Sequence, residues 1–301
     1  MYNGIINVYK ERGFTSFDVV AKLRGIVKQK KIGHTGTLDP DAEGVLPVCL
    51  GRATKLCDLL TEKDKVYRAK LLLGKETDTQ DLTGTVLSSA EVTVGREEVE
   101  RVIASFVGEI KQVPPMYSAL KVNGKKLVDL ARRGIEVERQ ARMITIHDIV
   151  IEDISLPYVT MTVHCSKGTY IRTLCHDIGE KLGCHGCMAS LVRTRVSVFP
   201  IEEALTLSKV EEFVKDGRIS EIMIGLDQVF QEYPVYRGTK EQDKALVNGN
   251  SIMIPGEIIP GNVRVYKSNG VFIGLYAYEE EKKRYQPVKM FYDASEDVSE
   301  E

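Results

Sequence analysis

Residues 33–45 read GHTGTLDPDAEGV, a run of small, polar and proline residues that constrains the fold more than any other stretch. Its composition excludes a long helix or a regular central strand and predicts a shaped loop whose glycines allow close approach of a ligand. Asp39 precedes a proline that fixes the backbone, so it is a candidate catalytic carboxylate, with a self-capping turn aspartate as the alternative. His34 is a second candidate, with a hydrogen-bonded loop histidine as the alternative.

Strand and helix patterns alternate on both sides of this loop. A short strand, INVYK, precedes a helix for which Thr15 and Ser16 offer the N-cap. Period-two alternation predicts strands in VYRAKLLLG, MITIHDIVIED and YVTMTVHCS, and helical spacing predicts helices over 97–107 and in TYIRTLCHDIGEKLG. Residues 1–231 are therefore predicted to form an α+β region with a mixed sheet.

The last part of the chain has a different pattern. TKEQDKALVNG predicts a short helix, with Thr239 and Gln242 spaced for a capping box. VRVYKSNGVFIGLYAY predicts a hairpin that turns at Asn269 and Gly270. We expect a small β-rich module over 232–293, followed by a disordered acidic tail over 294–301.

Charge is segregated along the sequence, although the formal net charge is only −2. Residues 111–142 carry eight Lys or Arg and three acids, whereas residues 202–232 carry three and eight. This distribution predicts a basic face for nucleic acid, with chance clustering of solvated charges as the alternative. No apolar run approaches the roughly 20 residues of a membrane span, so we expect a cytoplasmic protein with reduced cysteines.

Three further motifs could carry chemistry. In CSKGTYIRTL, Lys167 and Arg172 flank a glycine at a predicted helix start. This arrangement fits phosphate binding, a buried arginine paired with a carboxylate, or a solvated basic turn. Tyr67 on its predicted strand fits ordinary cross-strand packing. Cys184 and Cys187 form a single Cys-x-x-Cys pair without the four ligands of a structural zinc site, so no metal is expected.

Five motifs in order carry a resemblance to a known family: GHTGTLDPDAEGVLPVCLGRATK, DKVYRAKLLLGKETDTQD, QVPPMYSALKVNGKK, CSKGTYIRTLCHDIG and LVRTRVSVF. Together they closely resemble the bacterial tRNA pseudouridine-55 synthases, the TruB family. The resemblance runs from about residue 3 to residue 200, and the C-terminal module is similar too. The chain departs from the family pattern at Val192, where an arginine is common.

The resemblance implies a role for individual residues. Asp39 falls on the family's catalytic aspartate, and Arg172 falls on the arginine that pairs with it. Tyr67 falls on the tyrosine that stacks on the target base, and His34 on the loop histidine that helps hold the everted RNA arm. Further positions near the pocket correspond to Lys55, Asp81, Tyr170 and Leu191. Residues 111–142 resemble the family's RNA-clamping thumb loop, and residues 232–293 resemble a PUA-type RNA-binding domain.

The chemistry that the resemblance implies is an isomerisation, in which the N1–C1′ bond breaks and C5 joins C1′. We expect no cofactor, and the sequence contains neither a P-loop nor a Rossmann fingerprint. Asp39 could attack C1′ or C6, or could remove a ribose proton. We expect Arg172 to lower the pKa of Asp39 and to orient it through a forked pair of hydrogen bonds.

The expected partner is the T arm of transfer RNA, bound by a monomer without a membrane or a guide RNA. Three alternatives stay open. The first is a guide-dependent relative acting on ribosomal RNA within a ribonucleoprotein. The second is a tRNA-folding chaperone without chemistry. The third is a zinc-dependent RNA enzyme built on Cys184 and Cys187.

Overall fold

A mixed nine-stranded sheet forms the larger part of the molecule, in a computed structural model that describes residues 1–292. The acidic tail expected over 294–301 lies outside the described residues. The strands are β1 Gly4–Lys10, β2 Ile32–His34, β3 Glu43–Leu50, β4 Lys65–Leu73, β5 Lys75–Thr77, β6 Val86–Ser89, β7 Gly108–Gln112, β8 Lys121–Val122, β9 Lys125–Lys126, β10 Arg142–Ser155, β11 Tyr158–Cys165, β12 Gly186–Val196, β13 Phe199–Pro200, β14 Val235–Arg237, β15 Asn262–Tyr266, β16 Phe272–Glu279 and β17 Arg284–Met290. The α-helices are α1 Ser16–Val27, α2 Cys57–Thr61, α3 Arg96–Ala104, α4 Leu127–Ala131, α5 Ile171–Lys181, α6 Leu207–Lys215 and α7 Lys240–Val247, and short 3-10 helices cover Gly51–Leu56, Ile201–Glu203, Ile219–Glu221 and Leu226–Phe230.

The main sheet has the order β1-β3-β12-β4-β11-β10-β7, with β2 beside β3 and β13 beside β12. Its pairs are antiparallel except β12 with β3, which run parallel. One apolar cluster packs α3 and α5 against β4, β10, β11 and β12. A second cluster packs α1 and α6 against β1, β2 and β3. The predicted α+β fold with a mixed sheet is therefore confirmed.

A separate sheet of four strands, β14-β15-β16-β17, lies in the C-terminal part. The predicted hairpin turns at Gly270, whose φ of +89° explains the glycine. In the predicted capping box, the Gln242 side chain accepts a hydrogen bond from the Thr239 backbone N–H at 3.0 Å. A third apolar cluster brings Leu275 and Phe291 of this part against the 3-10 helices at 51–56 and 226–230. The two sheets are thus joined through a shared apolar contact.

The loop predicted over residues 33–45 is shorter than expected, because both of its ends are strands. In β2, His34 pairs with Val48 of β3, and β3 is a central strand between β1 and β12. Gly44 makes this possible: its φ is +104°, and a Cβ there would lie 2.2 Å from the carbonyl oxygen of Arg193. The composition correctly predicted a close approach to the backbone, but it did not show that this contact lies between two strands of a sheet.

The basic segment 111–142 contains regular elements and is not one extended loop. It contains the β8–β9 hairpin and the short helix α4, in which Leu127 and Leu130 are buried. These leucines supply the apolar contacts that a purely extended polar loop would lack. Among residues 1–292, no helix has both the length and the hydropathy that a membrane span requires.

Candidate active site

An ion pair between Asp39 and Arg172 forms the centre of the site. Asp39 lies in the loop between β2 and β3, and Arg172 is the second residue of α5. The Nε atom of Arg172 is 2.9 Å from Oδ2 of Asp39, and Nη2 donates to Oδ1 at 3.3 Å. Two parallel N–H···O contacts of this kind fix the plane of a carboxylate as well as its position. The forked pair expected from the resemblance is present, across 133 residues of sequence.

Arg172 is held from three further directions, and only 5% of its side chain is exposed. Nη1 donates to the Thr79 carbonyl at 3.0 Å, and Nη2 donates to the Tyr117 carbonyl at 2.8 Å. The carboxylate of Asp81 approaches Nε at 3.8 Å. Because each of its nitrogens faces a fixed acceptor, the guanidinium acts as a rigid support for Asp39.

The loop that carries Asp39 is fixed from the other side of the sheet. The Leu38 N–H donates to Ser16 Oγ at 2.9 Å, which ties the loop to the first turn of α1. The side chain of Lys10 is fully buried, and its ammonium group donates to the carbonyls of Phe14 at 2.5 Å and Pro40 at 3.0 Å. Burial lowers the pKa of Lys10 to about 8. Sequence reasoning missed Lys10, because nothing in its local pattern distinguishes it from a solvated lysine.

The pKa of Asp39 differs from the sequence expectation. Desolvation by the surrounding protein raises it above the ordinary aspartate value, and Arg172 opposes this shift without cancelling it. The nearby negative charge of Asp81 adds to the increase. Arg172 therefore lowers the pKa of Asp39 as expected, but the net shift is upward because burial, which the expectation omitted, is the larger effect. The Asp39 side chain nevertheless keeps 41% of its surface exposed, on the side that faces a cavity.

Two cavities meet at the Asp39–Arg172 pair. The first has a volume of about 360 Å³, and its walls include Asp39, Tyr67, Tyr170, Arg172, Leu191 and Arg193. The second has a volume of about 250 Å³ and shares Asp39, Arg172 and Leu191 with the first. Asp81 lines only the second cavity. The first volume lies within the range of small-ligand pockets, and Asp39 lines both cavities.

Arg193 is a buried cation in the wall of the first cavity, and the sequence reasoning did not single it out. Its residue exposure is 1%. Nε donates to the Val45 carbonyl at 2.7 Å and Nη2 to the Gly36 carbonyl at 3.2 Å, so it bridges β12 to both ends of the Asp39 loop. Burial raises the pKa of the neighbouring Tyr67 hydroxyl, and the positive charge of Arg193 opposes this rise. The local sequence gives no signal for this burial, which only the fold shows.

The other predicted residues occupy four different kinds of position. Tyr170 and Leu191 line the first cavity, and Tyr170 is fixed by backbone hydrogen bonds to the side chain of Gln112. Asp81 organises the turn after β5, where its Oδ1 accepts bonds from both Thr79 and Thr83. His34 lines neither cavity, and its Nδ1 accepts the Gly36 N–H at 3.3 Å.

Lys55 does not lie near the pocket. It belongs to the 3-10 helix Gly51–Leu56, and its Nζ donates to the carbonyl of Met290 at 3.3 Å, on the C-terminal sheet. The expectation that Lys55 is close to the cavity is corrected accordingly. Cys184 and Cys187 are free, and within residues 1–292 neither belongs to a group of three or more potential metal ligands.

Comparisons with known proteins agree with this architecture. Residues 24–171 match a model described as "TruB family pseudouridylate synthase (N terminal domain)", and residues 172–242 match "tRNA pseudouridylate synthase B C-terminal domain". A protein of Lachnoclostridium phytofermentans named "tRNA pseudouridine synthase B" is 54% identical, covering 96% of this chain and 99% of that protein. One of Clostridium kluyveri with the same name is 47% identical, covering 91% and 94%.

A chain from the solved "Crystal Structure of a Cbf5-Nop10-Gar1 Complex" superposes with a TM-score of 0.74 at 26% identity, covering 97% of this chain and 86% of that one. The mixed sheet and its carboxylate pocket, taken with these matches, are those of a pseudouridine synthase. More particularly, the chain belongs to the TruB family of pseudouridylate synthases, which confirms the resemblance read from the five motifs.

Proposed function

We propose that this protein converts uridine 55 in the T loop of transfer RNAs into pseudouridine, without a cofactor, in the cytoplasm. The proposal rests first on the Asp39–Arg172 pair, whose carboxylate is fixed by a fork and faces a cavity of about 360 Å³. Its second support is the name shared by the relatives, "tRNA pseudouridine synthase B". The substrate class follows from that name, and the chemistry follows from the carboxylate.

Asp39 is the proposed catalytic residue. The reaction breaks the N1–C1′ bond, turns the uracil and joins C5 to C1′, while C5 loses its proton and N1 gains one. No group or electron is therefore transferred to a second molecule. A carboxylate at the sugar and base can attack C1′ or C6, or can take a ribose proton. Each of these routes needs the ionised form of Asp39, which the positive charge of Arg172 favours from 2.9 Å.

Tyr67, Leu191 and Tyr170 are the proposed walls for the target base. The base must leave the RNA stack to reach Asp39, which costs a few kcal/mol. Stacking on an aromatic ring returns about 1–3 kcal/mol per base. The Arg193 guanidinium interacts electrostatically with the Tyr67 hydroxyl, so Arg193 is proposed as a positioning residue for that contact.

The basic segment 111–142 is proposed to grip the RNA as a thumb-like insertion of the catalytic domain, residues 1–231. Lys121, Lys125, Lys126 and Arg133 surround a shallow cavity on this segment. The Tyr117 carbonyl in the same segment holds Arg172 at 2.8 Å, so the proposed grip and the catalytic pair share one support. Residues 232–293 are proposed as a PUA-like domain that adds RNA contacts.

The first experiment measures pseudouridine formation in an unmodified T-arm stem-loop by the purified full chain, with chelator present and no guide RNA. Wild type should convert one loop uridine, and Asp39→Asn should bind the RNA without converting it. Asp153→Asn on β10 is the matched control, since Asp153 is exposed and lines neither cavity. We expect Asp153→Asn to retain full activity.

The outcomes separate the alternatives. Activity of Asp39→Asn equal to wild type would show that Asp39 is only a turn residue. Binding without conversion by wild type would favour a guide-dependent enzyme, as the likeness to a chain of the Cbf5-Nop10-Gar1 complex allows, or a tRNA chaperone. Loss of activity in chelator and recovery with zinc would favour a metal-dependent enzyme. Full activity in chelator would exclude that last alternative.

A further inference from the structure

We propose that Glu76, His176 and Glu180 form a zinc-binding site that joins helix α5 to the β5–β6 hairpin. One oxygen of each carboxylate and one ring nitrogen of the histidine lie within 4.8 Å of one another. None of the three residues lines the cavities at Asp39. The site is therefore separate from the Asp39 cavities, and the proposed isomerisation neither requires nor excludes it.

The fold brings these ligands together from two elements. His176 and Glu180 are one helical turn apart on α5, so their side chains project from the same face. Glu76 is the middle residue of β5, and 26% of its side chain is exposed. A histidine and a glutamate at i and i+4 form a chelate on a rigid helix, and the strand supplies the third ligand.

The donor set is suited to zinc. Imidazole nitrogen and carboxylate oxygen both bind Zn²⁺, at about 2.0–2.2 Å. Three protein ligands leave one tetrahedral position for water. Ligand atoms within 4.8 Å of one another need only small side-chain rotations to reach such distances. A hard cation such as Mg²⁺ prefers oxygen ligands, so the histidine favours zinc.

A second histidine already holds one of these carboxylates in place. Nδ1 of His185 is 2.6 Å from Oε1 of Glu180, and its Nε2 is 3.1 Å from Oγ of Ser88. Both ring nitrogens are therefore engaged, which makes His185 a positioning residue for Glu180. Outer contacts of this kind orient metal-ligating carboxylates. His185 takes a left-handed φ of +60°, rare for a residue with a side chain, and so it enters the cluster from a tight turn.

Among the described residues, the two carboxylates of the cluster have no Lys or Arg partner that a metal ion would have to displace. Within residues 1–292, neither Glu76 nor Glu180 is within 4.0 Å of a Lys or Arg nitrogen, and both rely on His185. Nδ1 of His176 is buried and has no hydrogen-bond partner among the described residues. His185 is a cation only when it is protonated, and a divalent ion would place a permanent positive charge beside both carboxylates.

The cluster lies beside the contacts that position Arg172. Arg172 lies one turn before His176 on α5, and it donates to the carbonyl of Thr79, which follows β5. Thr173 of the same helix also donates to Gln80 at 2.8 Å. A metal between α5 and β5 would therefore tighten the interface that positions Arg172, and we expect its effect as stability.

The experiment uses the full chain, stripped with chelator and dialysed, and Zn²⁺ itself as the probe. Calorimetric titration should show one tight equivalent, and the thermal midpoint of unfolding should rise with zinc. X-ray absorption at the zinc edge should show nitrogen and oxygen ligands and no sulfur, a distinction that the longer Zn–S bond of about 2.3 Å makes clear. These measurements need no variant.

Three variants then assign the ligands. We expect His176→Gln and Glu76→Gln to weaken zinc binding by at least about 100-fold, and His185→Gln to weaken it by about 10–100-fold. Each should unfold at nearly the wild-type temperature in chelator, which shows that it folds. His147→Gln is the matched control, because His147 belongs to a second group of three potential ligands, with Asp64 and His164. It should leave the tight equivalent unchanged.

Several results would overturn the proposal. The first is the absence of a tight zinc equivalent and of a thermal shift in wild type. The second is sulfur scattering, which would assign the metal to cysteines. The third is loss of the tight equivalent in His147→Gln with retention in His176→Gln, which would assign it to the other cluster. Activity on RNA is not the readout, so failure here is distinct from failure of the proposed function.

Discussion

At the scale of single residues, the balance of forces on Asp39 leads to a pH prediction. Burial raises the pKa of Asp39 above its ordinary value even with Arg172 beside it. The single-turnover rate of wild type should therefore fall as the pH decreases through this raised pKa and level off above it. We expect the acid limb of the profile to lie above the ordinary aspartate pKa of about 3.9. A rate that stays flat down to that pH would show that the ion pair outweighs burial.

The same shift has a consequence for stability. The native state binds a proton on Asp39 more tightly than the unfolded chain does, so ionisation of Asp39 lowers stability as pH rises from the unfolded to the folded pKa. Below the unfolded pKa this cost disappears. Asp39→Asn should therefore unfold no lower than wild type at neutral pH, which separates a lost reaction from a lost fold. A large drop in its thermal midpoint would contradict this.

The residue scale also shows where sequence reasoning reached its limit. Asp39 and Arg172 stood out because each lies in an unusual local stretch, although 133 residues separate them. The local sequence did not distinguish Lys10 or Arg193, although both are buried cations beside the site. Charged residues are rarely buried, so a strand pattern assigns them to solvent by default. Only the fold shows that backbone carbonyls receive them.

At the scale of elements, the contact between β3 and β12 is the feature that the loop composition only hinted at. Gly44 has a φ of +104°, and a Cβ there would meet backbone atoms of Arg193 at 2.2 Å. Gly13 also has a positive φ, +87°, but a Cβ there would meet nothing within 4 Å. Both positions therefore have a backbone conformation that strains a residue with a side chain. They differ in the space that is available to a Cβ atom.

This difference yields a paired prediction. Gly13→Ala should cost about 1–3 kcal/mol of unfolding free energy through backbone strain alone. Gly44→Ala should cost that amount plus about 1–3 kcal/mol of overpacking, because the backbone of β12 must move. Denaturant unfolding of both variants measures the difference. Equal decreases in the free energy of unfolding would mean that the backbone of β12 moves at no cost. Arg193 would then be less firmly held than its hydrogen bonds indicate.

The elements themselves were largely readable from the sequence, and the exceptions have physical reasons. α1, α3, α5 and α7 and the long strands β4, β10 and β11 follow clear apolar periodicity. The ends of the loop at 33–45 and the short elements of 111–142 carry no period long enough to detect. Tertiary contacts decide such segments, through pairing with β3 in one case and burial of Leu127 and Leu130 in the other.

At the scale of the whole molecule, the C-terminal sheet packs against the rest of the chain through a shared apolar cluster. Leu275 and Phe291 share an apolar cluster with Val229 and Phe230, and Lys55 reaches the Met290 carbonyl. Each buried large apolar side chain contributes about 1.5–3 kcal/mol. Removing residues beyond 232 would therefore expose the cluster, so a truncated chain would test stability together with RNA binding. Charge variants of the intact chain separate an effect on RNA binding from an effect on stability.

The last prediction concerns the basic segment on that intact chain. Lys121, Lys125 and Lys126 lie together in the β8–β9 hairpin. If they neutralise RNA phosphates, replacing all three by alanine should weaken T-arm binding. The slope of log K against log salt should become shallower by about 2–3, at about 0.7–0.9 for each of the three phosphates that is no longer neutralised. The single-turnover rate at saturating enzyme should stay near wild type, because none of the three lines the Asp39 cavities.

The matched control is a double variant on α6, Lys209→Ala with Lys215→Ala, within the acidic stretch 202–232. It should leave the slope unchanged. An unchanged slope in the triple variant would mean that the phosphates are held elsewhere, and the segment would then act only through the Tyr117 carbonyl that supports Arg172.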